Sequence, residues 1–405
     1  MFGDLFAPSL DQTTVAVIKS TIPLLESAGP ALTQHFYQRM FSHNPELKDI
    51  FNLAHQRSGG QPLALFNAVA AYAKNIDNLG ALAGAVERIA HKHTGFLIQP
   101  EQYHIVGSHL LATLKEMGGS AVTDEVQEAW GKAYGVLADI FIGREREIYQ
   151  EKANQDGGWQ GTRTFIIKEK RAESDLITSF LLTPEDGKPV LTFKPGQYLS
   201  IKLVHPELEY QEIRQYSLSD APNGQDYRIS VKREPQGQVS NLLHDHLQAG
   251  DKIEVMPPTG DFYLKADSQT PVVLLSAGVG VTPMMSMLNQ LLANGHQADV
   301  TWLHACEQGA VHAFREDIQQ KSRQHPNLLS RTWYREPEAS DVQGEDYDLA
   351  GTMDLTAVKE RITPEAHYYF CGPVGFMQAI KRQLLAAGVP AGQLHYEVFG
   401  PHQDL

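Results

Sequence analysis

Hydrophobic periodicity changes twice along this chain and divides it into three stretches. Over residues 11–152 apolar positions recur at helical spacing, broken at Gly29-Pro30, His43-Asn44-Pro45, Ser58-Gly59-Gly60 and Gln99-Pro100, with no strand-like alternation. Asn154-Gln155-Asp156-Gly157-Gly158 has the composition of a linker. Beyond it TFIIKEK, TSFLLT, YLSIKL and YRISVK are short strand-like runs separated by turn residues, which predicts a small β unit. From Thr270 onward PVVLLS, DVTWLHA, LSRTWY and HYYFCGP each precede a helix-like or loop stretch, the alternation of a parallel α/β sheet. The expected fold class is therefore multidomain: an all-α domain over 1–152, a β domain over 153–266 and an α/β domain over 267–405.

Within the helical stretch, Leu82 to Tyr103 carries the candidate chemistry. At about 100° per residue from Leu82, Val86 falls at about +40°, Ile89 at about −20° and His93 at about +20°. His93 thus shares the apolar face, whereas His91 lies about 180° away and is expected to face solvent. From this helix alone, a core imidazole bonded to a carbonyl is the commoner outcome. The helix after Gly29-Pro30 places Tyr37 in one apolar arc with Leu32, Phe36, Met40 and Phe41, so its hydroxyl is expected to be buried. Gln61, just before Pro62, is expected to cap the next helix.

Composition narrows the function classes. With 405 residues, 42% hydrophobic and 20% charged, the chain has the make-up of a globular protein with several cores. A formal charge of −14 provides no basic field for nucleic acid or an anionic membrane surface. The start, MFGDLFAPSL, has no signal-peptide pattern and no stretch has the length of a membrane span, so a cytoplasmic location is expected. Cys306 and Cys371 alone do not make a disulfide framework or a thiolate cluster.

The β stretch carries PGQY (Pro195 to Tyr198), RQYS (Arg214 to Ser217) and GQVSNLL (Gly237 to Leu243). Tyr216 offers an aromatic face for an isoalloxazine, Ser217 a hydroxyl for its reactive nitrogen, and Arg214 a fork for a pyrophosphate. Gly237 to Ser240 would open a helix whose free N–H groups favour phosphate. In the last stretch, AGVGVTP (Ala277 to Pro283) follows the strand VVLLS. It departs from the dinucleotide pattern GxGxxG at Thr282 and Pro283, yet Gly278 and Gly280 permit close backbone approach and Thr282 adds a hydroxyl. CGPVGFM (Cys371 to Met377) and YEVFGP (Tyr396 to Pro401) follow. No arginine pair suited to a 2′-phosphate follows TWLHACE, Arg315 and Arg323 being the candidates, so NADH is favoured over NADPH.

HFYQRMFSHNPELKDIF, KHTGFLIQPEQYHIVGSHLL and AWGKAYGVLADIF, together with the β and α/β signatures, resemble the flavohaemoglobins along the whole chain. That resemblance implies a globin domain, an antiparallel β-barrel flavin domain and a ferredoxin reductase-like nicotinamide domain, with haem b, FAD and NAD(P)H as cofactors. It implies His93 as the iron ligand, Tyr103 and Glu145 as a hydrogen-bonded network behind it, and Tyr37, Gln61 and Leu65 opposite. Phe51 and Lys92 also fall at the haem. By the same resemblance Tyr198, Arg214, Gln215, Tyr216, Ser217, Gly237, Val239 and Ser240 bind FAD. Gly278, Val279, Gly280, Val281, Thr282, Pro283, Cys371, Gly372 and Pro373 line the nicotinamide site, and Glu397, Val398, Phe399, Gly400 and Pro401 complete the flavin side. Glu145 lies about 60° from the apolar face of its own helix, which places it at the edge of burial. Pro62 departs from the family pattern and is expected to shift the start of its helix, and the residues before Leu10 form an extension without an assigned role. The implied activity is nitric oxide dioxygenation, with O2 and nitric oxide as substrates and the protein a monomer. The alternatives are an oxygen- or nitric-oxide-binding or sensing globin, and a haem and flavin reductase acting on peroxides.

Overall fold

The computed structural model describes residues 10–402 and Leu405, so the extension before Leu10 lies outside the described residues. Contacts cluster into two compact units. The first holds the helical residues up to Gly161 with Lys202–Arg214 and Gly400–His402; the second holds Thr162–Ile201, Gln215–Phe399 and the C-terminus.

The N-terminal stretch of the first unit is helical: α1 (Gln12–Ser20), α2 (Ile22–Ala28), α3 (Pro30–His43), α4 (Leu53–Arg57), α5 (Gly60–Lys74), α6 (Ala83–Gly95), α7 (Pro100–Gly118) and α8 (Asp124–Asn154). The sequence breaks coincide with helix ends because each supplies a start or stop. Proline opens α3 and α7, where a missing N–H removes no intrahelical bond. Gln99 and Gln102 close a capping box at α7, and Asp11, Asn52 and Thr123 accept backbone N–H bonds at α1, α4 and α8. The expectation for Gln61 is corrected here. Gly59, at φ 78°, is the cap and α5 begins at Gly60, so Gln61 lies inside the first turn. Pro62 is accommodated in that turn, since the first-turn N–H groups have no intrahelical acceptor in any case.

The second unit contains two sheets. The first is formed by β1 (Arg163–Ala172), β2 (Ile177–Pro184), β3 (Tyr198–Leu203), β4 (Glu212–Ser217), β5 (Tyr227–Lys232) and β6 (Lys252–Val255), with α9 (Gln238–Asp245) between the last two. β3 and β4 run partly into the stretch assigned to the first unit. The strand order is β4-β3-β6-β1-β2-β5. Pairing of β1 with β2 and β6, and of β2 with β5, is antiparallel, and an antiparallel bridge between Leu218 and Ile229 joins the two ends into a barrel. The short β6 escapes the sequence pattern because four residues carry only two turns of the pleat.

The second sheet is parallel throughout, from β7 (Val272–Ala277), β8 (Val300–Cys306), β9 (Leu328–Tyr334), β10 (Leu349–Ala350), β11 (His367–Cys371) and β12 (Leu394–Glu397). Helices α10 (Val281–Ala293), α11 (Arg315–Gln324) and α12 (Val374–Ala386) connect and cover it. Alternate residues of β7 feed two cores: Val272 and Leu274 pack with Met284, Leu288 and Ile318, while Val273 and Leu275 pack with Met377, Ile380 and Leu384. That division explains why PVVLLS reads as an uninterrupted apolar run. Each of these side chains contributes about 1.5–3 kcal/mol on burial. Among the described residues no helix is long and apolar enough to cross a membrane.

The order β10-β9-β8-β7-β11-β12 reverses direction between β7 and β11, and a ligand crevice forms beyond strand ends at such a reversal. Gly280 sits there, and a Cβ on it would lie 2.2 Å from the Cys371 carbonyl oxygen. Gly280→Ala should therefore destabilise the second unit by about 1–3 kcal/mol through overpacking. Gly375→Ala, whose Cβ meets nothing within 4 Å, serves as the control. Equal melting temperatures of the two variants by calorimetry would refute this close approach.

Candidate functional site

In the first unit the chemistry gathers where α6, α7 and α8 meet. His93 Nδ1 lies 2.7 Å from Glu145 Oε1 and 2.9 Å from the Tyr103 hydroxyl, which itself donates to Glu145 Oε1 at 2.6 Å. A carboxylate only accepts, so Nδ1 carries a proton and Nε2 is the nitrogen that offers a lone pair in the neutral ring. Burial and the adjacent Glu145 charge push the Tyr103 phenol far up, which keeps it a donor. Nε2 has no hydrogen-bond partner among the described residues, and the His93 side chain is 34% exposed. One ring nitrogen fixed and the other free is the donor set of a metal-ligating imidazole.

Two expectations are corrected at this point. Glu145, placed by helical angle at the edge of burial, is 3% exposed, because α6 and α7 cover the flank of α8 that carries it. His91, expected in solvent, is 9% exposed. It lies 3.1 Å from Glu87, one turn earlier, and Glu87 takes both Arg144 Nε and a terminal nitrogen, at 2.7 and 2.8 Å. Burial opposes ionisation of Glu87, yet the Arg144 and His91 bonds override it and hold the carboxyl down to about 2. The angle around one helix cannot show that a neighbouring helix covers its polar flank too.

Tyr37 is 5% exposed, with the rings of Phe36, Phe41 and Phe51 at 5.0, 6.0 and 5.9 Å, and Leu65 packs in the same cluster. Gln61 Nε2 donates to its hydroxyl oxygen at 3.4 Å, a long bond. Burial pushes the phenol up to about 12, opposed by the Gln61 and Gln56 amides. The Tyr37 proton has no acceptor among the described residues. Gln56 on α4 was not singled out by sequence, although its buried amide lies near the Tyr37 hydroxyl and neither of its polar atoms reaches full hydrogen-bond geometry with a described residue. Its only advance signal is an amide on a short helix after an aromatic residue, which is no signal at all. Lys92, beside His93, donates to the Gly400 carbonyl at 2.8 Å within this unit, and Pro401 comes close to Gly60.

On the barrel, the Tyr198 hydroxyl is buried without a hydrogen-bond partner among the described residues, and burial raises its pKa well above the usual phenol value. Arg214 gives one nitrogen to Glu212 at 2.6 Å and to the Ile213 carbonyl at 2.9 Å, and among the described residues the rest of its fork has no hydrogen-bond acceptor. Gln215, Tyr216 and Ser217 follow on the same strand, and Ser217 is 7% exposed. Gly237 caps α9, which carries buried Val239 and Ser240; the Ser240 hydroxyl accepts from the Glu234 N–H at 3.0 Å. An orphaned buried phenol and a half-used guanidinium fit a flavin nucleotide.

At the parallel-sheet reversal, Gly278, Val279 and Gly280 form a tight turn into α10, with Gly278 at φ 53°. Val281, Thr282 and Pro283 are the first turn of α10, and Thr282 donates its hydroxyl to the Val279 carbonyl at 3.1 Å. The hydroxyl thus stiffens the turn. Across the reversal stand Cys371, Gly372 and Pro373, whose register pairs Cys371 with Glu397 at the end of β12. Burial pushes the Cys371 thiol well up, making it a poor nucleophile. Val398 is buried at 6%, whereas Phe399 is 43% exposed. Arg315 is engaged with Asp346 at 2.8 Å.

Comparison with known proteins agrees with this layout. Family models described as Globin, Oxidoreductase FAD-binding domain and Oxidoreductase NAD-binding domain match residues 34–141, 164–263 and 274–382. The chain is similar to the flavohaemoglobin of Malassezia yamatoensis, solved with bound FAD and haem, at 26% identity over 97% of this chain and 100% of that one, with a TM-score of 0.86. It is 44% identical to the FAD/NAD-binding domain of the nitric oxide dioxygenase of Vibrio cholerae O1 biovar El Tor, covering 61% of this chain and 100% of that one, with a TM-score of 0.54. The cytochrome b5 reductase domain of Ulva prolifera nitrate reductase, at 21% identity over 58% of this chain and 97% of that one (TM-score 0.51), shares the fold. Fold and sites together define an oxidoreductase that joins a globin to a ferredoxin reductase-type flavin and nicotinamide module. The chain belongs to the flavohaemoglobin family, and its cofactors are haem, FAD and a nicotinamide dinucleotide.

The two histidines separate cleanly in an experiment. His93→Ala should abolish stable haem binding, whereas His91→Ala should keep haem and lose melting temperature by loosening the Glu87–Arg144 clamp. The Soret absorbance of both purified variants measures this, and equal haem loss would remove the distinction.

Proposed function

We propose that this flavohaemoglobin is a nitric oxide dioxygenase of the cytoplasm, a monomer whose partners are O2, nitric oxide and NADH or NADPH. Three domains carry the work: a haem domain over 1–152, an FAD domain over 153–266 and a nicotinamide domain over 267–405. When bound, the dinucleotide would supply an electron pair, FAD the exchange between electron pairs and single electrons, and haem the one-electron chemistry with O2. Forming nitrate from nitric oxide and O2 consumes one electron, so one dinucleotide supports two turnovers. The charge of −14 agrees with the absence of a nucleic-acid or membrane partner.

The observation that carries this reading is the Glu145 carboxylate on His93 Nδ1, at 2.7 Å in a 3% exposed position. It fixes the ring and raises the basicity of Nε2, the nitrogen that would hold iron. A more basic ligand favours oxygen chemistry over reversible carriage. Tyr103 holds the carboxylate in place. Tyr37, Gln61, Leu65 and Phe51 would line the ligand pocket, where the Tyr37 proton would be available to a partly anionic diatomic ligand. Tyr198, Arg214 to Ser217, Gly237, Val239 and Ser240 would hold FAD. Gly278 to Pro283 and Cys371 to Pro373 would hold the dinucleotide, and the segment from Glu397 to Pro401 would close the flavin side.

Tyr37→Phe removes that donor without a cavity. A charge-assisted bond of about 1–3 kcal/mol corresponds to about 5- to 150-fold faster oxygen dissociation from the reduced protein. Carbon monoxide binding and flavin reduction by NADH should hardly change. The donor is the protonated phenol, present below its pKa of about 12 and lost as pH rises through it, so oxygen dissociation should be flat from pH 6 to 9. Stopped-flow oxygen release decides the role of Tyr37, and an unchanged rate would exclude it. Nitrate formed per NADH under aerobic nitric oxide tests the activity: no turnover points to a gas-binding globin, and turnover without nitrate to a peroxide or general reductase.

A further inference from the structure

The two sheets of the second unit meet at a polar contact outside the flavin and nicotinamide motifs. Asp220 stands three residues beyond Ser217, the last residue of β4. Its carbonyl accepts from Ser286 Oγ at 2.7 Å, and its Oδ1 accepts from Asn289 Nδ2 at 2.7 Å. Ser286 and Asn289 are three apart on α10, hence on one face. That helix begins directly after the Gly278–Gly280 turn. The contact therefore ties the end of the strand bearing Arg214 to Ser217 to the helix that carries the nicotinamide loop.

The surrounding bonds show a built contact. Asp220 Oδ1 also accepts the Ala221 N–H at 2.8 Å, and Arg228 approaches Oδ2 to 3.7 Å. Arg228 in turn donates to Ser219 Oγ at 3.0 Å and lies over the Phe314 ring, 5.3 Å from its centroid, at the start of α11. Ser286 is fully buried. Asn289 Oδ1 is buried with no partner. Turning that amide over would set two oxygens against each other, so its orientation is imposed by the Asp220 carboxylate, even though a buried carbonyl is left unsatisfied.

We propose that Asp220, with Ser286 and Asn289, is a positioning set that fixes the spacing between the flavin-side strand and the nicotinamide loop and so governs hydride transfer from NADH to FAD. The proposal rests on the reading of those segments as the two cofactor sites. In that step the dihydronicotinamide gives up a hydride and becomes oxidised nicotinamide, while the flavin gains the hydrogen and both electrons. Donor and acceptor must approach to about 3–3.5 Å, and a misplacement of about 1 Å costs up to about a hundredfold. A helix moves as a stiff body, so loosening it at Ser286 and Asn289 loosens Gly278 to Val281 as well.

Three variants of the full FAD-loaded chain test this: Asp220→Ala, Asp220→Asn and Ser286→Ala. The Asp220 side chain is 44% exposed, so its removal leaves no deep void. Anaerobic stopped-flow reduction by NADH should show Asp220→Ala slowed about ten- to a hundredfold at saturation, with unchanged FAD content. Asp220→Asn retains an acceptor for Asn289 and should recover most of the rate, and Ser286→Ala should be slowed in the same direction as Asp220→Ala. Hydrogen–deuterium exchange without NADH should quicken at Gly278 to Val281 in Asp220→Ala. A wild-type limiting rate and exchange in Asp220→Ala, or equal slowing in Asp220→Asn, would overturn the proposal. A change in NADH affinity alone, or FAD loss in Asp220→Ala with an unaltered rate in Ser286→Ala, would also overturn it. Failure of the wild-type flavin to accept electrons from NADH would instead reject the two site assignments, and the positioning role with them.

Discussion

A carboxylate removed from water must find partners, and in the first unit that requirement falls on Glu145. At 3% exposure it accepts from Tyr103 and from His93, residues supplied by α7 and α6. Leaving such a group buried and unpaired would cost several kcal/mol, so the three helices must close in the one arrangement that satisfies it. The same arrangement fixes the tautomer of His93 and leaves Nε2 free. Structure and chemistry are thus bound to one pair of bonds, and the Glu87–Arg144–His91 clamp braces the same two helices, α6 and α8, from the other flank.

The second unit solves a different problem, that of joining a barrel and a parallel sheet that carry the segments proposed to hold FAD and the dinucleotide. Its parallel sheet supplies a crevice at the β7–β11 reversal, which any sheet of this order must have. Its barrel closes through Leu218 and Ile229, just beyond β4, so the strand end proposed to hold the flavin lies at a seam. Asp220 lies two residues past that seam and reaches α10. Closure of one sheet and docking on the other therefore occur within a few residues of Ser217. An error in either would misplace the segment proposed to contact the flavin.

Buried polar groups without partners mark both proposed cofactor regions: Gln56 near Tyr37, and the hydroxyl of Tyr198 on the barrel. Each is expensive in a closed core and reasonable beside a ligand with donors and acceptors of its own. The Thr113 hydroxyl of the first unit is likewise buried without a partner, so Gln56 is informative only because its amide lies beside the Tyr37 hydroxyl.

The sequence by itself determined the order of elements and the kind of chemistry. Glycine, proline and polar turn residues placed the helix ends at Gly29-Pro30, His43-Asn44-Pro45, Ser58-Gly59-Gly60 and Gln99-Pro100, and the strand-then-helix alternation marked β7, β8, β9 and β11, because these signals act within a few residues of one another. The flavin and nicotinamide signatures were legible for the same reason, each being a single contiguous turn or strand end. What depended on distant packing was not legible. Helical angles put His91 in water and Glu145 at an edge, yet both are buried, because burial is decided by whichever helix lies alongside. Gln56, the closure at Leu218 and Ile229, and the Asp220 contact with Ser286 and Asn289 join residues that local pattern cannot relate. Only the tertiary structure brings such groups together, since the free energy that pairs them is gained across space and leaves no period in the chain.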